Sequence, residues 1–260
     1  GTFDATLRYD DATWATVRNA ATAEEIKKTD TYTYITTGKN AGSLYEIYWP
    51  IFSFDTGLIP STAIISEGSL CIKTFVDAAA NNSWAVVQHS AATWNNFSTA
   101  DYDQRGSEEA SARKTMTASA WNCFALTATG TDMIAKSGET KPASASSAGK
   151  TQFGLREAHD LDNSAPASDT YYVQLTMADA AGTSSDPYLR VEWTYSGTTT
   201  PAYYDDTTLN RIRAFTIHYG DDGAILGWDK TEYSVPFILL ILLISIFGVA
   251  IFVFIKTLRL

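Results

Sequence analysis

Three histidines and a scatter of acidic pairs have the types to do acid–base chemistry, and their spacing works against it. His89, His159 and His218 fall far apart, each in a different expected strand or loop. No HExxH, GxSxG or phosphate-loop motif occurs. The acids come as near neighbours: Asp10-Asp11, Asp101/Asp103, Asp205-Asp206 and Asp221-Asp222. Two carboxylates can run glycoside hydrolysis, but acids on polar loops read first as solvated charge. No catalytic residue is assigned, and the chain is read as non-enzymatic.

Binding chemistry has better candidates. The stretch HDLDNSAPASD gathers Asp160, Asp162, Asn163 and Asp169 on one expected loop. Such oxygen donors suit Ca²⁺, although the spacing is not that of an EF-hand and the turn glycine and distal glutamate are absent. A structural Ca²⁺ is the one cofactor considered. Trp84, Trp94, Tyr102, Tyr203 and Tyr204 sit in or beside polar stretches, where they can form a platform that stacks on sugar rings. The competing reading places them in the core. Cys71 and Cys123 lie in the apolar runs SLCIKTF and WNCFAL. Outside a cell they can pair, or each can be a separate buried thiol. With no histidine near, they make no structural zinc site. Asn81-Asn82-Ser83 and Asn96-Phe97-Ser98 are glycosylation acceptors in a host with the machinery.

The whole chain narrows the partners. It carries 29 acidic and 19 basic residues, a net charge of −10, which argues against a nucleic-acid partner. Residues Val235 to Ile255, VPFILLILLISIFGVAIFVFI, carry no charge. As a helix they span roughly 32 Å, about the hydrocarbon thickness of a bilayer. Lys256 and Arg259 follow, and Trp228 and Tyr233 precede at interface depth. The expected anchor therefore includes Val235, Pro236, Phe247, Gly248 and Ile255, with Lys256 and Arg259 on the inner side. A core helix of a soluble protein and a cleaved sorting signal are the alternatives. The positive-inside rule places residues 1–234 outside. The polar opening GTFDATLRYD reads as a mature N-terminus after leader removal.

The outer part reads as β structure. With 14 Tyr, 12 Phe and 7 Trp, it has a β-rich composition. Strands are expected at Thr2–Arg8, Trp14–Arg18, Thr31–Thr37, Tyr45–Phe54, Ala63–Val76, Trp84–His89, Trp121–Ala128, Gln152–Arg156, Tyr171–Met177 and Tyr188–Tyr195. Pro50 suggests an edge or a bulge, and Glu67-Gly68 a break. Ala20–Lys28 is helix-like, and Thr131–Lys136 reads as a helical turn closed by Gly138. Ser98–Ser119 reads as a long surface excursion. In the last two strands Tyr171, Val173, Leu175 and Met177 oppose Tyr172, Gln174 and Thr176, and Leu189, Val191 and Trp193 oppose Arg190, Glu192 and Thr194. Many strands with almost no helix imply an antiparallel β-sandwich. The expected organisation is a sandwich over 1–196, a connector and membrane-proximal hairpin over 197–234, a membrane helix over 235–255 and a basic tail over 256–260.

Four stretches carry a resemblance: IFSFDTGLIPSTAII at Ile51–Ile65, WNCFALTATGTDM at Trp121–Met133, FGLREAHD at Phe153–Asp160 and DPYLRVEWTY at Asp186–Tyr195. Together they resemble the β-sandwich modules of the DNRLRE type, a jelly-roll class near carbohydrate-binding modules found in surface proteins and viral structural proteins. The resemblance spans roughly Thr2 to Tyr195. It implies a jelly-roll-like fold and no catalytic residues. The expected function is a non-catalytic, membrane-anchored subunit of a repeated surface assembly (filament, coat or virion envelope layer) at a cell surface or viral envelope. Its partners would be membrane lipid and copies of itself. A membrane-held adhesin that binds surface glycans is the alternative.

Overall fold

The computed structural model describes residues 3–40, 42–75, 83–141, 148–167, 171–178, 184–195, 216–218 and 225–227. In chain order the strands are β1 (Phe3–Asp11), β2 (Glu25–Lys27), β3 (Tyr32–Lys39), β4 (Tyr45–Asp55), β5 (Ala63–Lys73), β6 (Trp84–His89), β7 (Arg105–Glu109), β8 (Trp121–Ala125), β9 (Lys150–Glu157), β10 (Tyr171–Thr176), β11 (Tyr188–Tyr195), β12 (Thr216–His218) and β13 (Ile225–Gly227). Three short helices interrupt them: α1 (Trp14–Asn19), α2 (Ala128–Asp132) and α3 (Ala158–Leu161). One sheet runs β10-β3-β4-β9-β6-β7, with β1 on β4 and β2 on β1; the other runs β13-β12-β11-β5-β8. The ladders among β1 to β11 are antiparallel, and β12 lies parallel to β11. This is an all-β sandwich. Its sheets touch edge to edge where Thr74 bridges Leu175 and the Phe75 N–H donates to the Gln174 carbonyl at 2.8 Å.

Burial explains the sequence pattern strand by strand. The main core lies between the sheets and includes Phe52, Phe54, Leu70, Ile72, Trp84, Val86, Phe124, Phe153, Leu155, Val173, Leu175, Leu189 and Val191. A second core lies on the other face of the first sheet: Leu7, Ile47, Trp49, Ile51 and Val87 against Trp14, Val17, Phe97 and Tyr102. β4 and β6 are thus apolar on both faces and read as continuous runs, whereas β10 and β11 alternate because one face is wet.

Several local expectations are corrected. Trp14–Arg18 is helix, not strand: Trp14 and Val17, three apart, are the residues it buries, a helical spacing. Ala20–Lys28 is not helix; it contributes β2, held by its pairing to β1. The segment after Ser98 is not an excursion. It forms a 3-10 turn (Thr99–Asp101) and β7, and it buries Tyr102, Ala110 and Met116. Pro50 lies inside the sheet. β1 pairs the whole length of β4 on one side, with Thr6 opposite Pro50. On the other side β3 pairs Tyr45–Tyr48 and β9 pairs Ile51–Asp55. The Pro50 carbonyl points toward Gly154 on β9, and in an antiparallel ladder the N–H shares that side. The missing N–H therefore falls where β3 hands over to β9. In β5 the irregularity is at Ser66: Glu67 faces Glu192 and Ile65 faces Trp193, leaving Ser66 as the extra residue of a bulge.

Cys71 and Cys123 stand directly opposite each other on β5 and β8 and are joined by a disulfide. Their neighbours Leu70, Ile72 and Phe124 point into the core, so the bond lies on the outward face. The chain divides into two units, Gly1–Leu226 and Gly227–Leu260, and of the second only Gly227 is described. The expected anchor, Val235–Ile255 with Lys256 and Arg259, lies outside the described residues. Among the described residues no helix is long and apolar enough to cross a membrane.

Candidate functional site

The two sequence-based sites are taken apart by the fold. Asp160 is fully buried, and its carboxylate accepts two hydrogen bonds from Arg156, from Nε at 2.7 Å and Nη2 at 2.8 Å. Asp162 accepts from Arg113 at 2.8 and 2.7 Å, while Glu109 holds the other side of that guanidinium. Arginine pairing holds the Asp162 carboxyl below the usual carboxylate range and raises Arg113. Asn163 turns the chain after α3 with φ 51°, and Asp169 lies outside the described residues. Both described carboxylates are committed to arginines, so the Ca²⁺ assignment is withdrawn. No group of three metal-type ligands occurs among the described residues.

The proposed aromatic platform fares the same way. Trp84 and Tyr102 are fully buried, Trp84 in the main core and Tyr102 in the second, with its hydroxyl donating to the Val17 carbonyl at 3.1 Å. Burial pushes the Tyr102 phenol up to about 12. A polar neighbourhood in sequence is not exposure in space, and the glycan role for these two is corrected. Trp94 is half-buried, with the Lys150 ammonium 4.2 Å above its ring centre. Tyr203 and Tyr204 lie outside the described residues.

Around Tyr102 the second core holds a polar cluster. Arg105 lies over the Tyr102 ring at 4.3 Å and over Trp49 at 5.5 Å, and donates to the Arg18 carbonyl. Arg18 donates from Nε to the Asp160 carbonyl at 2.9 Å. His89, opposite Arg105 in the β6–β7 ladder, packs between Trp49 and Phe97. Burial, with help from the Arg105 charge, lowers its pKa from 6.5 to about 3. These groups tie β4, β6, β7, α1 and α3 together. His159 pairs instead with Glu157, Nδ1 to Oε2 3.1 Å.

The exposed rings form a different surface. In β3 the alternation of TYTYITT sends Thr33 and Ile35 inward and Tyr32 and Tyr34 outward. In β10 Val173 and Leu175 go inward and Tyr172 outward. Phe75, just past β5, lies beside Gln174. Tyr34 is 50% exposed, Phe75 47%, and Tyr32 and Tyr172 39% each. They meet in pairs: Tyr34 and Tyr172 edge to face at 5.9 Å, Tyr32 and Phe75 tilted at 4.2 Å. Thr176 opposes Tyr32 and Gln174 opposes Tyr34 in the ladder, so the Tyr32–Phe75 pair reaches across β10 from strands on either side. The exposed rings Tyr32, Tyr34, Phe75 and Tyr172 and the half-buried Gln174 carry no charge, and Thr36 and Thr176 on the same strands are buried. On the outward surface of the second sheet, Trp121 and Tyr188 make another edge-to-face pair at 5.0 Å. The outward tyrosines were visible in the alternation of β3 and β10. The pairing with Phe75 was not, because it joins residues far apart in the chain.

No family model matches the chain, and no curated protein is similar to it in sequence.

Proposed function

We propose that this is a non-catalytic extracellular protein, anchored through Val235–Ile255, that serves as a subunit of a repeated surface assembly and meets its neighbours through the Tyr32–Tyr34–Phe75–Tyr172 face. That uncharged ring face is the observation that carries the reading. Copies of a protein with net charge −10 repel one another. The surface on which they approach at least electrostatic cost is one without charge, and burying exposed rings there supplies the attraction. An exposed aromatic patch of this kind commonly marks an interaction site. Anchored copies also share one membrane plane, which concentrates them and limits their orientations.

The test is the size of the detergent-extracted full chain. It is expected to run as regular oligomers, and Tyr34→Ser with Phe75→Ser, both outward and solvent-exposed, is expected to return it to monomers with unchanged circular dichroism. Oligomers that survive the double substitution would remove the ring face from the account.

The same rings support a second reading. Tyrosine and phenylalanine faces beside the half-buried Gln174 suit a neutral sugar, with stacking and hydrogen bonding on one surface. A glycan array probed with the full chain separates the two. Retention of a glycan that is lost in Tyr34→Ser, from a chain that stays monomeric, would favour the adhesin.

A further inference from the structure

We propose that the Cys71–Cys123 disulfide is an exchange site for low-molecular-weight thiols, attacked at Cys123. Thiol–disulfide exchange needs the incoming thiolate to approach in line with the sulfur–sulfur bond, from behind the sulfur it attacks. Here that bond crosses from β5 to β8 on the outward face of the second sheet. Behind Cys71 lies β11, with Tyr188 directly opposite Cys71 in the ladder. Cys71 itself is only 2% exposed. Among the described residues β8 is the last strand of its sheet, so none pairs behind Cys123, and Cys123 is exposed. One sulfur is shielded by a neighbouring strand and the other opens off the sheet edge.

The charges favour the same direction. The Lys114 ammonium donates to the Cys123 carbonyl at 3.0 Å and lies 5.3 Å from the Phe124 ring centre, so a cation stands at the β8 backbone of Cys123. A thiolate is drawn to such a position. Lys73 lies two residues from Cys71 on the same face of β5, opposite Trp121, with its ammonium donating to the Ser185 hydroxyl at 2.9 Å. In the first step the external thiolate attacks the Cys123 sulfur, a new mixed disulfide forms there, and the electron pair of the broken bond leaves on Cys71. A second external thiolate then attacks the external sulfur of the mixed disulfide. It releases the oxidised thiol as its own disulfide and leaves Cys123 as a thiolate. The reductant is the thiol pair, and each electron pair is accounted for.

The bond is not needed to seal the core, since Leu70, Ile72 and Phe124 lie beneath it and the β5–β8 ladder continues on both sides. The sandwich is therefore expected to survive its opening. The experiment incubates the oxidised full chain in detergent with reduced glutathione, quenches with acid, and maps adducts by mass spectrometry while circular dichroism follows the fold. The expected result is a glutathione adduct on Cys123 in large excess over Cys71, with the β-sheet signal retained. Protein that stays unmodified while folded would overturn the proposal. So would adducts divided evenly between the two cysteines, or modification that appears only as the sheet signal is lost.

Discussion

His89 is fully buried, and neither ring nitrogen has a hydrogen-bond partner among the described residues. The folded protein therefore keeps it neutral, with its pKa lowered from 6.5 to about 3. Above 6.5 neither the folded nor the unfolded chain carries a proton there, and the stability is whole. Below 6.5 the unfolded chain takes the proton and the folded one does not, so stability falls as the pH falls, levelling only near the folded value. Between pH 6.5 and 4.5 this amounts to roughly 2–3 kcal/mol. His89→Phe fits between Trp49 and Phe97 and removes the titration. Urea midpoints across that range are expected to fall less steeply for His89→Phe than for the native chain, and equal slopes would count against the assignment. Asp160 makes a second residue-scale case. Its carboxylate is the partner of Arg156, whose side chain is 4% exposed. Asp160→Ala leaves that charge buried and unmatched, and a loss of about 3–5 kcal/mol in denaturant unfolding is expected. Asp160 looked like a metal ligand because a short acidic loop has the same letters as an arginine clamp. Only its distance to Arg156 tells them apart.

At the scale of elements, what was legible depended on whether a strand has a wet face. β10 and β11 announce themselves, because Val173 and Leu175, and Leu189 and Val191, alternate with polar residues. β4 does not, because Trp49 and Ile51 enter one core while Phe52 and Phe54 enter the other. That second core was invisible in the sequence. It requires α1 and the turn at Thr99–Asp101 to fold over the first sheet, and those contacts are long-range. Without that layer in view, Tyr102 reads as a surface residue and Ser98–Ser119 as a loop. Pro50 was legible as an irregularity but not as a handover between two strands. α2 gives the sharpest test of how tightly these pieces fit. A Cβ on Gly130 would stand 2.1 Å from the Ala110 carbonyl oxygen, which also accepts from the Thr127 N–H at 2.9 Å. Helix propensity alone favours alanine there by about 1 kcal/mol. The clash reverses the sign, and Gly130→Ala is expected to destabilise by about 2–3 kcal/mol, read as a lower urea midpoint. A gain in stability would mean that α2 does not press on the Ala110 strand end.

At the scale of the whole molecule, the described residues form two sheets, an extra layer over the first and a disulfide on the outer face of the second, and they gather four exposed uncharged rings at β3, β10 and Phe75. The expected anchor is an apolar run that lies outside the described residues, and the ring face was half legible, through Tyr32, Tyr34 and Tyr172. The account's central claim is that this face is where copies meet. It is tested most directly by placing a photo-reactive benzophenone side chain at Tyr34 in the full chain, irradiating it in membranes and mapping the products by mass spectrometry. The account predicts crosslinks from position 34 of one copy to peptides carrying residues 32–36, 75 or 172–176 of another. Crosslinks that join position 34 only to α1 or to β7, or no crosslink between copies at all, would contradict it.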